Sequence, residues 1–114
     1  MIKRKANLKQ EIRENLRGGK GKLLFTHVFD QGEVANSRMF AVTTIQPGDS
    51  IGIHPHENEG EAYLILEGSA TVTEDGVDYV LNPGDAEYCG HGHTHGILNH
   101  TDSPLTFLAV VIYN

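Results

Sequence analysis

From residue 23 onward the chain alternates apolar and polar positions in short runs separated by glycine- and proline-rich turns. Leu23–Phe29 and Ser37–Gln46 are rich in β-branched and aromatic side chains, and Pro47-Gly48-Asp49 ends the second run as a turn. The spacing predicts further strands at Ile51–His56, Glu61–Glu67, Ala70–Thr73, Tyr79–Leu81, 86–89, 95–99 and 105–113. Asp75-Gly76 has the signature of a hairpin turn, and Pro83-Gly84-Asp85 marks another. No helical stretch separates these strands, so they are expected to pair antiparallel in an all-β sandwich or barrel. The last strand is apolar on both faces: Leu105, Phe107, Ala109 and Val111 alternate with Leu108, Val110 and Ile112. An antiparallel strand normally shows one face to water. Something is therefore expected to cover the outer face, either the N-terminal segment or a second subunit in a homodimer.

The first 22 residues read differently. Leu8, Ile12 and Leu16 recur every four residues, Asn7 stands at a cap position and Gly18 at a C′ position. That pattern predicts a short helix over 7–17. Lys9, Arg13 and Arg17 form a second row at the same spacing, which weakens an isolated helix unless it faces acidic surface. The chain then divides into a basic N-terminal helix and linker, residues 1–22, and a β-barrel, residues 23–114. Gly18-Gly19-Lys20-Gly21-Lys22 is not a phosphate loop, because Leu16 stands where its first glycine belongs and Leu23 where Ser or Thr is needed.

The 114 residues amount to one domain. Residues 1–22 carry eight basic and two acidic side chains, whereas the other 92 carry one basic residue, Arg38, and 13 acidic ones. So acidic a body argues against a nucleic-acid partner. There is no apolar run of membrane-spanning length and no apolar leader core. The lone Cys89 has no internal disulfide partner. Together these point to a cytoplasmic protein.

Six of the seven histidines fall between residues 54 and 100. His54 and His56 are two apart, which on a strand puts both imidazoles on one face. Glu61 follows across a short polar turn. Imidazole nitrogens with a carboxylate oxygen suit a divalent transition metal. His91 and His93 are also two apart but sit in a glycine-rich loop.

Two stretches resemble the motifs of the cupin family. Gly48-x5-His54-Pro55-His56-x4-Glu61-x6-Gly68 matches the first cupin motif at every fixed position. In the second, Gly92, His95 and Asn99 fall on the pattern after Pro83-Gly84-Asp85, and Gly90 stands where the motif has proline. The resemblance implies a double-stranded β-helix, or jelly-roll barrel, with a metal held by His54, His56, Glu61 and His95. Mn or Fe are the first candidates, with Zn, Ni or Co as alternatives. The short single-domain layout is similar to oxalate decarboxylase-like cupins.

The function so implied is a metal-dependent enzyme, decarboxylase- or dioxygenase-like, acting on a small polar or carboxylate ligand. A non-catalytic small-ligand or metal-binding module is the alternative. A sugar isomerase or epimerase is a third reading, and its phosphate would want basic cavity residues, of which the barrel has only Arg38. Candidates for catalysis are Tyr63, which shares strand phase with Glu61, together with Arg38 and His93. Arg38 either holds a ligand carboxylate at the barrel mouth or pairs with a surface acid. Glu57 and Glu59 are expected on an exposed turn, and Cys89 as a small buried hydrophobe.

Overall fold

The computed structural model describes residues 1–114. Its strands are β1 (Lys9–Glu14), β2 (Lys22–Phe29), β3 (Ser37–Ile45), β4 (Ser50–Pro55), β5 (Glu59–Glu67), β6 (Ala70–Glu74), β7 (Val77–Leu81), β8 (Ala86–Cys89), β9 (Thr94–Leu98) and β10 (Leu105–Tyr113). They form a six-stranded sheet, β1-β2-β3-β10-β5-β8, and a four-stranded sheet, β4-β9-β6-β7. Every pairing is antiparallel. The strands expected from residue 23 onward all form.

The alternating pattern decides which side chains meet between the sheets. From the larger sheet come Leu23, Phe25, Ile65, Leu105 and Phe107; from the smaller come Ile51, Val72 and Ile97. Burying each such side chain stabilises the fold by about 1.5–3 kcal/mol. Core residues Phe25, Ile51, Tyr63 and Ala109 also border the cavity that holds the buried polar groups.

Residues 7–17 are not a helix. Short 3-10 turns at Lys5–Asn7 and Leu16–Gly18 flank β1, which pairs with β2 from Lys9↔His27 to Glu14↔Lys22. As a helix this segment would stack Lys9, Arg13 and Arg17. As a strand it puts Glu11 beside Arg13, whose Nη2 lies 2.8 Å from the Glu11 carboxylate and whose guanidinium stands 4.8 Å over the Phe25 ring. The apolar row also splits, since Ile12 faces solvent while Leu16 packs on the core. Because β1 extends an edge of the larger sheet, it does not cover the outer face of β10. There Leu108 and Val110 stay half-buried, and Ile112 is exposed.

After β1 the chain forms a strap across the start of β4. Asn15 and Arg17 adopt left-handed backbone conformations, with φ of 49° and 56°. The Asn15 N–H donates to the Gly21 carbonyl (3.0 Å) and the Ser50 N–H to the Lys20 carbonyl (2.9 Å). Glycine is required where strap meets strand. A Cβ on Gly52 would lie 2.0 Å from the Arg17 carbonyl oxygen, and one on Gly19 would lie 2.3 Å from that of Ser50. The strap thus lies backbone to backbone on β4, two residues before His54.

Candidate metal centre

Both sheets contribute to one buried cluster. β4 carries His54, His56 follows its last residue, and β9 brings His95 opposite His54 in the β4–β9 register. Glu61 reaches across from β5 in the larger sheet. All four are buried, and their nearest ligand atoms lie within 4.8 Å of one another. Glu61 Oε1 is 3.0 Å from His95 Nε2, 3.1 Å from His56 Nε2 and 3.8 Å from His54 Nε2.

The far side of each imidazole sets its tautomer. His54 Nδ1 meets the Gly52 carbonyl at 2.7 Å, His56 Nδ1 the Glu59 carboxylate at 3.3 Å, and His95 Nδ1 the Glu87 carboxylate at 2.8 Å. These oxygens only accept, so each Nδ1 carries the proton and donates. Three Nε2 lone pairs and a carboxylate then face one another with no donor between them; His56 Nε2 and His95 Nε2 are 3.1 Å apart. A divalent cation satisfies all four at once, and oriented imidazoles backed by carboxylates are the usual surroundings of such an ion. The residues present therefore fit a metal.

In the ion-free protein a proton takes the cation's place. Burial opposes charge on His95, but hydrogen bonds to Glu61 and Glu87 outweigh it and push the imidazole from 6.5 up to about 9. A raised imidazole stabilises the fold fully below its unfolded value and loses that contribution as pH rises through the folded value. The melting temperature of chelator-treated protein is thus expected to fall between about pH 6.5 and 9. The increment added by metal should grow over the same range, since less proton remains to be displaced. Melting curves with chelator and with Mn(II) across that range check both slopes, and a flat chelator series contradicts the assignment.

Around the four lies a partner layer that sequence patterns conceal. Glu59 is not on an exposed turn: it begins β5, its side chain is only 13% exposed, and Arg38 grips it through Nε (2.8 Å) and Nη2 (2.9 Å). The turn is made one residue earlier, at Asn58, where φ is 59°. Arg38 thereby fixes the carboxylate that orients His56, and it also lines the cavity beside the cluster. Tyr63 is buried and stacked on His95, with centroids 4.7 Å apart. Burial and the nearby Glu61 and Glu87 carboxylates hold its phenol well above the usual range, so it stays a hydroxyl. His93 stands at the surface on Asp75, 2.6 Å away, outside that cavity. His91 accepts the Asn58 N–H. Asn99 is wholly buried and ties the chain together, donating to the Ile45 and Ser103 carbonyls.

Cys89 also lies beside Glu87 and His95. Burial and the Glu87 charge push its thiol up to about 12. Without a cation beside it, Cys89 is therefore a neutral thiol.

The cavity beside the cluster has a volume of about 60 Å³, room for a few waters or a molecule of few heavy atoms. Its wall includes Arg13 and Arg17 as well as Arg38. The two N-terminal arginines were absent from the sequence-based candidates. Their only signal was the basic row Lys9, Arg13, Arg17, which suggested a helix face.

Comparison with known proteins agrees with this geometry. The model of the cupin domain matches residues 41–111. An oxalate-binding protein of Thermotoga maritima is 36% identical over 113 residues, covering 98% of this chain and 93% of the relative. The crystal structure of a predicted oxalate decarboxylase from Thermotoga maritima superposes with a TM-score of 0.94 at 35% identity, covering all of both chains. A Klebsiella pneumoniae protein with a double-stranded β-helix domain shares the fold at 24% identity, with a TM-score of 0.71 over 86% of this chain and 83% of that one. With both motifs placed on facing strands and their ligand atoms converging, this chain belongs to the cupin family.

Proposed function

We propose that the protein holds a divalent transition metal, Mn or Fe first among them, on His54, His56, Glu61 and His95, and binds a small carboxylate beside it. The observation that carries this reading is the convergence of four buried acceptors, three of them (His54, His56 and Glu61) in the wall of a small cavity that is also rich in arginine. The oxalate-binding relative supports the choice of ligand. A bound metal would supply Lewis-acid polarisation of a carboxylate oxygen. Arg38 stands in the cavity wall while holding Glu59, and Tyr63 offers a hydroxyl rather than a base. A decarboxylase-like reaction follows if the bound acid is turned over, and a binding module results if it is not.

The test is to load the protein with Mn(II) and titrate oxalate and related small acids while following the metal's paramagnetic resonance spectrum. A spectrum that responds to oxalate is expected. If no carboxylate perturbs the metal, the reading fails.

The apolar outer face of β10, with Val42 of β3 and Leu64 of β5 beside Leu108, supports pairing of two copies through the larger sheet. Sedimentation at micromolar concentration should show a dimer, and a monodisperse monomer overturns that expectation.

A further inference from the structure

Three observations outside the metal ligands meet in the cavity. Thr43, on β3, is wholly buried and its Oγ1 has no hydrogen-bond partner. It lines the cavity with Arg13, Arg17 and Arg38. A buried hydroxyl is rarely left unsatisfied in a native fold unless something outside the chain engages it. Secondly, the three arginines are not equivalent. Arg13 is paired with Glu11 and Arg38 with Glu59, but Arg17 has no carboxylate partner within ion-pair distance. Thirdly, Arg17 is presented by a left-handed residue of the strap, whose carbonyl is seated against Gly52. Unfavourable backbone held this firmly is a feature of sites where a side chain must be aimed.

The charges add to the picture. Arg13 and Arg38 are balanced by Glu11 and Glu59. A divalent ion would be half-balanced by Glu61, and Arg17 is unbalanced. With Glu87, 2.8 Å behind His95, balancing the rest of the ion's charge, Arg17 is the one uncompensated charge of the cavity wall. A wider polar depression of about 460 Å³ lies outside and shares Arg13, Arg38 and Met39 with the inner cavity, giving an approach from solvent.

We infer that the N-terminal strap is the specificity wall of the site: Arg17, with the Thr43 hydroxyl, recognises the second anionic group of a short dicarboxylate. This rests on the carboxylate reading above and extends it from a small acid to a dianion. An Arg fork suits a carboxylate in both charge and shape. Neither monocarboxylates nor neutral acids would engage it.

The experiment uses the full-length Mn(II)-loaded protein at fixed 0.15 M salt, with oxalate and malonate as dianions and acetate as the monoanion. Resonance spectra report the metal and calorimetry reports affinity. Arg17→Gln keeps the backbone and removes the charge. It is expected to leave the ligand-free spectrum unchanged, weaken oxalate or malonate by tenfold or more, and weaken acetate by less than threefold. Arg17→Lys should recover part of the loss. Thr43→Val should weaken the dianions at least threefold without lowering the melting temperature of the ion-free protein, because it removes an unsatisfied hydroxyl. A loss below tenfold in Arg17→Gln, a loss shared equally by acetate, or unchanged dianion affinity in Thr43→Val overturns the inference while leaving the carboxylate reading intact. Absence of any response to carboxylates in the unsubstituted protein overturns both.

Discussion

Replacing His54 and His56 together with alanine is expected to abolish metal binding and the thermal stabilisation that metal brings. The two residues supply half the converging acceptors, and both come from one end of β4. What remains, Glu61 and His95, spans two sheets and leaves two positions to water. An ion bound only by the native state at a hundred times its dissociation constant stabilises by about 2.7 kcal/mol. In a domain of this size that corresponds to roughly 10–20 °C in melting temperature. Each single substitution should remove most of this increment, and the double substitution all of it. The ion-free proteins should differ from one another much less, since losing one imidazole also relieves the crowding of lone pairs around Glu61. Elemental analysis after dialysis, paired with melting curves with and without Mn(II), reads both quantities. Full occupancy in the double variant would place the ion elsewhere.

The barrel was legible because its information is local. A strand buried on one face announces itself by period-two alternation, and turns such as Pro47-Gly48-Asp49 and Asp75-Gly76 mark the boundaries. His54 and His56 were legible for the same reason, being two residues apart in extended chain at the end of β4. His95 came only through its motif, since nothing near it in the chain shows that β9 lies against β4. The strap was misread because a spacing of four satisfies a helix while the alternative was masked. In β1 the inward positions Lys9, Glu11 and Arg13 carry both signs of charge, so no amphipathic strand pattern appears. Glu59 was misread because Glu57-Asn58-Glu59-Gly60 has the composition of a turn, whereas only Glu57 and Asn58 make it, exposed as expected for Glu57. Its partner Arg38 is 21 residues away, on a strand separated from β5 by β10. Pairings of that range are products of the fold, so the residues that orient the ligands lie beyond pattern reading.

Gly52→Ala is expected to be the most damaging small substitution on β4, because it acts on fold and cavity through one contact. Its backbone is not left-handed, so alanine carries no conformational penalty there, and the whole cost is steric. The added Cβ would meet the Arg17 carbonyl oxygen at 2.0 Å and carbon at 2.9 Å. Those are backbone atoms, held by the hydrogen bonds that dock residues 15–21 on β4, and they cannot rotate away as a side chain would. Either the strap lifts or β4 shifts. Overpacking of this kind typically costs about 1–3 kcal/mol. If the strap lifts, Arg17 leaves the cavity and residues 15–21 become open to proteolysis, while His54 keeps its place. If β4 shifts instead, His54 moves and metal affinity falls as well. Gly18→Ala is the control: φ there is +77° but nothing lies within 4 Å of the new Cβ, so only backbone strain of about 1–2 kcal/mol is added. Melting temperature, limited proteolysis and Mn(II) affinity, measured together on both variants, separate these outcomes. A Gly52→Ala protein as stable as its parent, with a protease-resistant strap, would mean that the close approach of strap and strand is not a feature of the folded chain.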